Sequence, residues 1–251
     1  MRPYNYKAVI SYDGTDFFGF QRQYGLPTIQ VAVEDAIWEG LGIKTTVYGS
    51  SRTDRGVHAL GQVISFSIDQ DLHPMGMKSM ISGFLHPSIR LRLLDRAPWG
   101  FIARFAQRTK VYSYIIHMGG SDSPFVHKGA WVVNRGQLDV SVMENTWNHF
   151  LGEHDFTCFG KTTKEGKNKD PHCKIIETDV MKKGSYISLI LRGDRFLHNM
   201  VRRMVGFTVE CALGREMPNS LDLVFRGIMR PSAGQKAPPQ GLYLVSVDYE
   251  Q

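Results

Sequence analysis

Apolar and polar residues alternate along YNYKAVISY (4–12), with Tyr4, Tyr6, Ala8 and Ile10 on one side, and this period of two predicts a half-buried strand. After a polar stretch, Ile29, Ala32, Val33, Ala36 and Ile37 recur at helical spacing, with Thr28 placed to cap the helix and Gly40 and Gly42 bracketing its end. TTVY (45–48) and VISFSI (63–68) read as strands. Met75 to Leu85 reads as a weaker helix, and Ile89, Leu91 and Leu93 alternate with Ser88, Arg90 and Arg92 as a further strand.

The second half repeats that order. KVYSYII (110–116) alternates, and DVSVMENTWNHFL (139–151) has a helical period. Residues 174–181 and 185–192 form a strand pair, LHNMVRRMVGFTVECALG (197–214) is helical, and GLYLVSV (241–247) closes the set. The pattern predicts an α+β protein of two β-α-β-β-α-β halves, the ferredoxin-like order, with sheets able to pair side by side. A seam near residue 105, after Pro98-Trp99-Gly100, gives an N-terminal half of 1–105 and a C-terminal half of 106–251. Segments 17–26, 118–138 and 159–172 are read as loops, the last of them lysine-rich over 161–169. That stretch reads either as a solvated loop or as an arm for phosphates.

Composition narrows the partners. A net charge of +6 suits a polyanion such as nucleic acid. No apolar run approaches a membrane span, and the N-terminal residues lack the apolar centre of a secretory signal. Three cysteines, Cys158, Cys173 and Cys211, cannot build a disulfide framework, so a cytoplasmic setting is expected. His154, Cys158, His172 and Cys173 could be imagined around a metal, but their spacing fits no zinc pattern, and no metal is expected.

One stretch carries candidate chemistry. GSSRTDRGVHALGQV (49–63) places Asp54 between Arg52 and Arg55, in a polar break between two strands. The guanidinium groups would favour the ionised carboxylate if they converge on it. An accessible ionised carboxylate can serve as nucleophile or base. Gly56 permits a tight turn or the close approach of a ligand. His58, four residues on, raises the possibility of an acid–base pair.

This stretch closely resembles the Arg-Thr-Asp-x-Gly-Val-His-Ala signature of the TruA-type tRNA pseudouridine synthases. YDGTDFFGFQRQ (12–23), FIARFAQRTKVYSYII (101–116), GEHDFTCF (152–159), FLHNMVRRMVG (196–206) and KAPPQGLYLVSV (236–247) resemble further marks of that family, in order, across residues 4–248. The resemblance implies two fused ferredoxin-like halves with a continuous, mainly antiparallel sheet and a central RNA-binding cleft. It implies a homodimer acting without cofactor or metal on uridines 38–40 of the tRNA anticodon stem-loop.

By the same resemblance Asp54 is the catalytic aspartate, and Arg52 helps extrude the target base and fill its place. Tyr112 stacks on the flipped base, and Arg202 is the basic partner of the aspartate. His58 shapes the loop at the substrate, and Arg203, which the motif does not pick, is left as a contact with RNA or solvent. Helical periodicity alone leaves Arg202 and Arg203 on opposite flanks of the apolar stripe, at similar distances from it. Tyr112 and Tyr114 share one strand face and could equally be core. Two positions depart from the family: Ser51 where glycine is common, and Phe20 where tryptophan is usual.

Two other classes fit less well. A non-catalytic RNA-recognition module shares the element order, but its Gly-Phe/Tyr-Gly/Ala-Phe run does not occur here. A glycosidic hydrolase normally flanks the scissile bond with two carboxylates, and this loop supplies one.

Overall fold

The computed structural model describes residues 3–120, 123–134, 138–160, 163–164, 167–168, 170–229 and 236–249. The chain divides into two compact units, one of Met1–Arg108 with Tyr243–Gln251 and the other of Thr109–Leu242.

In the first unit, strands β1 (Tyr4–Tyr12), β2 (Tyr48–Gly49), β3 (His58–Ile68) and β4 (Ile89–Ala97) alternate with helices α1 (Ile29–Leu41) and α2 (Pro74–Ser82), and α3 (Ala103–Ala106) follows β4. β1 is central, antiparallel to β3 on one side and β4 on the other, and short β2 lies antiparallel on β3. The apolar positions read from the sequence converge: Ala8 and Ile10 of β1, Ile64 and Phe66 of β3 and Leu91 of β4 face Val33 and Ile37 of α1 and Ile81 of α2 around one small void. Each of these side chains larger than alanine, taken from water, contributes about 1.5–3 kcal/mol. Thr28 caps α1 by accepting the Val31 N–H, and Gly42, at φ 69°, ends it by donating to the Trp38 carbonyl.

The strand expected over 45–48 is almost absent, and its ladder begins only at Tyr48. Side chains have taken over the backbone groups: the Val47 N–H donates to buried Glu34 Oε1 at 2.9 Å, and the Thr45 hydroxyl donates to the Ser67 carbonyl. Glu34 is held in turn by Gln30 and Arg22.

The second unit begins with β5 (Gln107–Met118), of which the residues from Thr109 onward belong to it. α4 (Pro124–Gly129), β6 (Trp131–Val133), α5 (Val140–Asn148) and β7 (Gly152–Asp155) follow. The minimal ladder of β8 (Thr163–Lys164) on β9 (Lys167–Asn168) comes next, then β10 (His172–Lys183), β11 (Tyr186–Gly193), α6 (Met200–Ala212) and α7 (Ser220–Phe225). β11 joins β5 and β10 antiparallel, β7 extends β10, and β6 runs parallel on β5. α4 and β6 occupy the segment expected to be loop. The side chains of the lysine-rich stretch 161–169 lie outside the described residues.

Lys110, Tyr112, Tyr114 and Ile116 of β5 are all buried, as are Ile187, Leu189 and Leu191 of β11. Phe150 sits among Phe156, Phe159, Phe207 and Phe225, an aromatic cluster that packs around the end of α5. The closing strand, β12 (Leu242–Tyr249), runs parallel to β3 through Tyr243 and Leu244, so the end of the chain completes the first unit. Among the described residues, no helix is long and apolar enough to cross a membrane.

Candidate active-site loop and its supports

Residues 51–57 contain the Arg-Thr-Asp stretch and run without regular structure into β3. The loop is tied from both ends. Gln62, fully buried on β3, donates to the Ser51 carbonyl at 2.8 Å, and its Oε1 accepts the Ser50 hydroxyl and the Ser51 N–H. Tyr12 Oη and Thr53 Oγ1 share a buried hydrogen bond of 2.8 Å. The Val57 N–H donates to the Asp54 carbonyl and closes a tight turn across Gly56, which has φ 77°. A serine at 51 is therefore harmless to the loop: among the described residues Asn199 is the only non-glycine with positive φ.

The segment after β1 clasps this loop through its glycines. The Phe20 N–H donates to the Thr53 carbonyl at 3.1 Å, and the Gly56 N–H to the Phe17 carbonyl at 3.4 Å. A Cβ on Gly19 would lie 2.6 Å from the Thr53 carbonyl oxygen, and one on Gly14 only 2.1 Å from that of Val57. The Phe20 ring presses on Gly49, where a Cβ would meet it at 2.4 Å, so phenylalanine fills the place where tryptophan is usual. Gly14→Ala is expected to force the two backbones apart and to destabilise the fold by about 2–3 kcal/mol, roughly a 5–10 °C fall in melting temperature. Gly76→Ala, which meets nothing within 4 Å, serves as the control and should leave the melting temperature unchanged or slightly raised.

His58 is buried and belongs to this clasp. Its Nδ1 accepts the Gly14 N–H at 3.1 Å, Asp13 Oδ1 lies 3.1 Å from the same nitrogen, and Tyr243 stacks on its ring at 4.8 Å. Those contacts are loop-shaping ones.

Asp54 is half-buried while both neighbouring arginines are exposed. The arginines do not converge on it. The Arg55 guanidinium lies over the Phe18 ring, 4.2 Å from its centroid, in a cation–π contact. Arg52 has Arg104 of α3 as its electrostatic neighbour; partial burial and then that second cation hold its pKa below the ordinary arginine value. Arg104 belongs to the FIARF stretch, 52 positions from Arg52, and sequence reading assigned it no role of its own.

The remaining candidates lie in the second unit. Tyr112 is buried, with its ring edge-on to Phe196 at 5.0 Å. Tyr114 is fully buried, donates to the Pro238 carbonyl at 2.8 Å and has its hydroxyl pKa pushed upward by burial. Gly241 leaves room for its ring: a Cβ there would come within 2.6 Å of it.

Arg202 and Arg203, equivalent by periodicity, are separated by packing. Arg202 is 7% exposed, its Nε donates to the Ala237 carbonyl at 2.8 Å, and its Nη1 lies 3.3 Å from Asn199 Oδ1. Arg203 is only half-buried. Asn199 begins the helix at φ 64°, a left-handed conformation that asparagine tolerates better than most residues. Asp54, Arg52 and His58 are thus gathered on the first unit, and Tyr112 and Arg202 on the second.

The two histidines considered for a metal are engaged separately. His154 Nε2 bonds the Leu151 carbonyl, and His172 Nδ1 bonds Asp170. Among the described residues no three potential ligands form a group.

The loop, tethered along its backbone, thus presents one half-buried carboxylate flanked by two exposed arginines on a basic α+β protein. The family model described as tRNA pseudouridine synthase matches residues 8–99 and 147–250. Full-length relatives agree. The tRNA pseudouridine synthase A of Brachyspira hyodysenteriae is 35% identical over 95% of this chain and 96% of its own length. That of Methylacidiphilum infernorum is 38% identical over 97% and 95%. Among solved structures a Cbf5-Nop10-Gar1 complex matches at TM-score 0.40 and 10% identity, over 81% of this chain and 45% of that one, too slight a likeness to define the fold. The chain belongs to the tRNA pseudouridine synthase family and is an isomerase.

Proposed function

We propose that this enzyme converts uridine to pseudouridine at positions 38–40 of the tRNA anticodon stem-loop, with Asp54 as the catalytic carboxylate. In this reading the C1′–N1 bond breaks, uracil turns within the pocket, and C1′ bonds to C5. The C5 proton is lost and N1 gains one. Nothing is oxidised or reduced, so the reaction needs no redox cofactor, and the family resemblance implies no metal. The supporting observation is the loop 51–57: its backbone is clasped by Gly14, Gly19 and Gln62, while Asp54 keeps a partly open side chain.

The other residues follow from the same reading. A stacked base hides its reacting atoms, and extruding it costs a few kcal/mol. Arg52, exposed beside Asp54, helps extrude the nucleotide and fills the gap it leaves. Tyr112 supplies a ring for the flipped base, a kind of stacking worth about 1–3 kcal/mol. Arg202 is the cation that accompanies the carboxylate during reaction. Arg203 contacts RNA, and His58 holds the loop at the substrate. The two units act as ferredoxin-like halves of one RNA-binding cleft, the enzyme works as a homodimer, and its setting is the cytoplasm.

Two measurements test this. Mapping pseudouridine in tRNA from cells with and without the protein should show its loss at 38–40 alone; unchanged maps, or loss elsewhere, would overturn the assignment of position. Light scattering on the purified protein should give twice the 28.4 kDa chain mass, and a monomer at working concentration would remove the dimer.

A further inference from the structure

The signature around Asp54 leaves one position open, and this chain fills it with Arg55. The Arg55 guanidinium lies over the Phe18 ring, 4.2 Å from its centroid, and among the described residues no ion pair or hydrogen bond engages it. The backbone sets this pairing. The Phe20 N–H donates to the Thr53 carbonyl at 3.1 Å and the Gly56 N–H to the Phe17 carbonyl at 3.4 Å, so Phe18 and Arg55 face each other between two bonds that join their segments. Both polar backbone groups of Phe18 are also held: its N–H donates to the Pro27 carbonyl at 2.9 Å, and its carbonyl accepts Gln23 Nε2 at 2.7 Å. The ring is half-buried and the arginine exposed. A fixed aromatic platform thus carries a solvent-facing cation, one residue along the chain from Asp54.

A guanidinium stacked on a ring uses none of its N–H donors, because they lie in its own plane and point outward from its edge. Stacking does remove side-chain freedom, which an unrestrained arginine loses only when it grips a ligand. Two N–H groups of such a fork match the two free oxygens of a phosphodiester. We propose that Arg55, braced on Phe18, grips the backbone phosphate of the target uridine or of its immediate neighbour and so positions the strand at Asp54. Consecutive Cα atoms are about 3.8 Å apart, which keeps the gripped phosphate within a nucleotide of the one delivered to the carboxylate. The proposal rests on the reading of Asp54 as the catalytic residue and extends it to the strand that carries the nucleotide. Arg55 is a positioning residue in this account.

The test is binding of an unmodified tRNA transcript by the full-length protein as a function of potassium chloride, measured by fluorescence anisotropy, with a melting curve for every variant. One phosphate contact contributes about 0.7–0.9 to the slope of log affinity against log salt. Arg55→Ala should flatten the slope by about that amount and weaken binding about three- to tenfold at about 0.1 M salt. Arg55→Lys should keep the slope and lose about two- to threefold in affinity, because a point charge replaces the fork. Phe18→Leu keeps the cation and removes the ring, so the slope should stay and affinity fall about two- to fivefold. The same leucine placed in Arg55→Ala should cost nothing further. Phe18→Tyr, which keeps a ring, should bind as the unsubstituted protein does.

Phosphate-ethylation interference locates the contact. Ethylating a phosphate that flanks the modified uridine should weaken binding to the unsubstituted protein, and that interference should vanish in Arg55→Ala. An unchanged slope in Arg55→Ala would overturn the grip, as would interference lost only at phosphates elsewhere in the tRNA. If Phe18→Leu weakens binding equally in both backgrounds, the ring acts on RNA by itself and the brace is refuted. These readouts need no turnover and are repeated in Asp54→Asn, so failure of the grip is distinct from failure of the catalytic assignment, which pseudouridine formation by that variant decides.

Discussion

Asp54→Asn is expected to lower pseudouridine formation by at least about four orders of magnitude, the scale on which removing a reacting carboxylate or its charge acts in other enzymes. Binding of tRNA should change by no more than about threefold. Asparagine keeps the shape of the side chain and removes only the anion that could attack or deprotonate the nucleoside. The loop's own supports, the Gln62, Tyr12–Thr53 and Phe20–Thr53 hydrogen bonds, use none of the Asp54 side-chain atoms. Melting curves of the two proteins, recorded alongside, separate loss of chemistry from loss of folding. Single-turnover assays with excess enzyme isolate the chemical step. Turnover within a hundredfold of the unsubstituted enzyme would remove Asp54 from the reaction.

The second large effect falls on α6. Arg202→Ala should reduce turnover by about 10²–10³-fold, whereas Arg203→Ala should stay within a fewfold and act mainly on the affinity for tRNA. Arg202 is buried, and its Nε–H satisfies the carbonyl of Ala237, a residue whose own N–H returns to the Arg202 carbonyl at 3.0 Å. Hydrogen bonds to charged groups contribute about 1.5–3 kcal/mol, so the alanine variant should also melt earlier. Arg202→Lys divides charge from geometry: it keeps the cation and loses the planar fork that reaches Ala237 and Asn199 together. Recovery of most turnover by lysine would make charge the dominant contribution. Equal losses in the two alanine variants, assayed well below both melting temperatures, would mean that the wrong arginine has been assigned.

The long periodic segments were legible without coordinates because burial on one face imposes a period. YNYKAVISY became Tyr4–Tyr12, and the helix read over 197–214 became Met200–Ala212, shortened at its start by the left-handed turn at Asn199. The reading failed where side chains replaced a backbone ladder. Val47 and Thr45 look like strand residues, yet their polar groups go to Glu34 and Ser67. It failed again at α4 and β6, which are too short to show a period. In the candidate site Asp54 was conspicuous from its motif, and the glycines that clasp it were visible only as turn residues, because the backbone they meet lies about 35–45 positions away.

From the sequence alone came the element order of the first half and the long elements of the second, the loop with its aspartate, and through six ordered motifs the family. All of these are carried by residues close together in the chain or by a regular period. The tertiary structure decided matters that no period can encode. It sent Arg55 onto Phe18, when its position in the chain had suggested a place beside Asp54. It buried Arg202 against a carbonyl 35 residues distant and left Arg203 half-open. It placed the last strand on the first unit. Each outcome depends on which distant backbone group or charge a side chain can reach, and that distance exists only once the chain has folded.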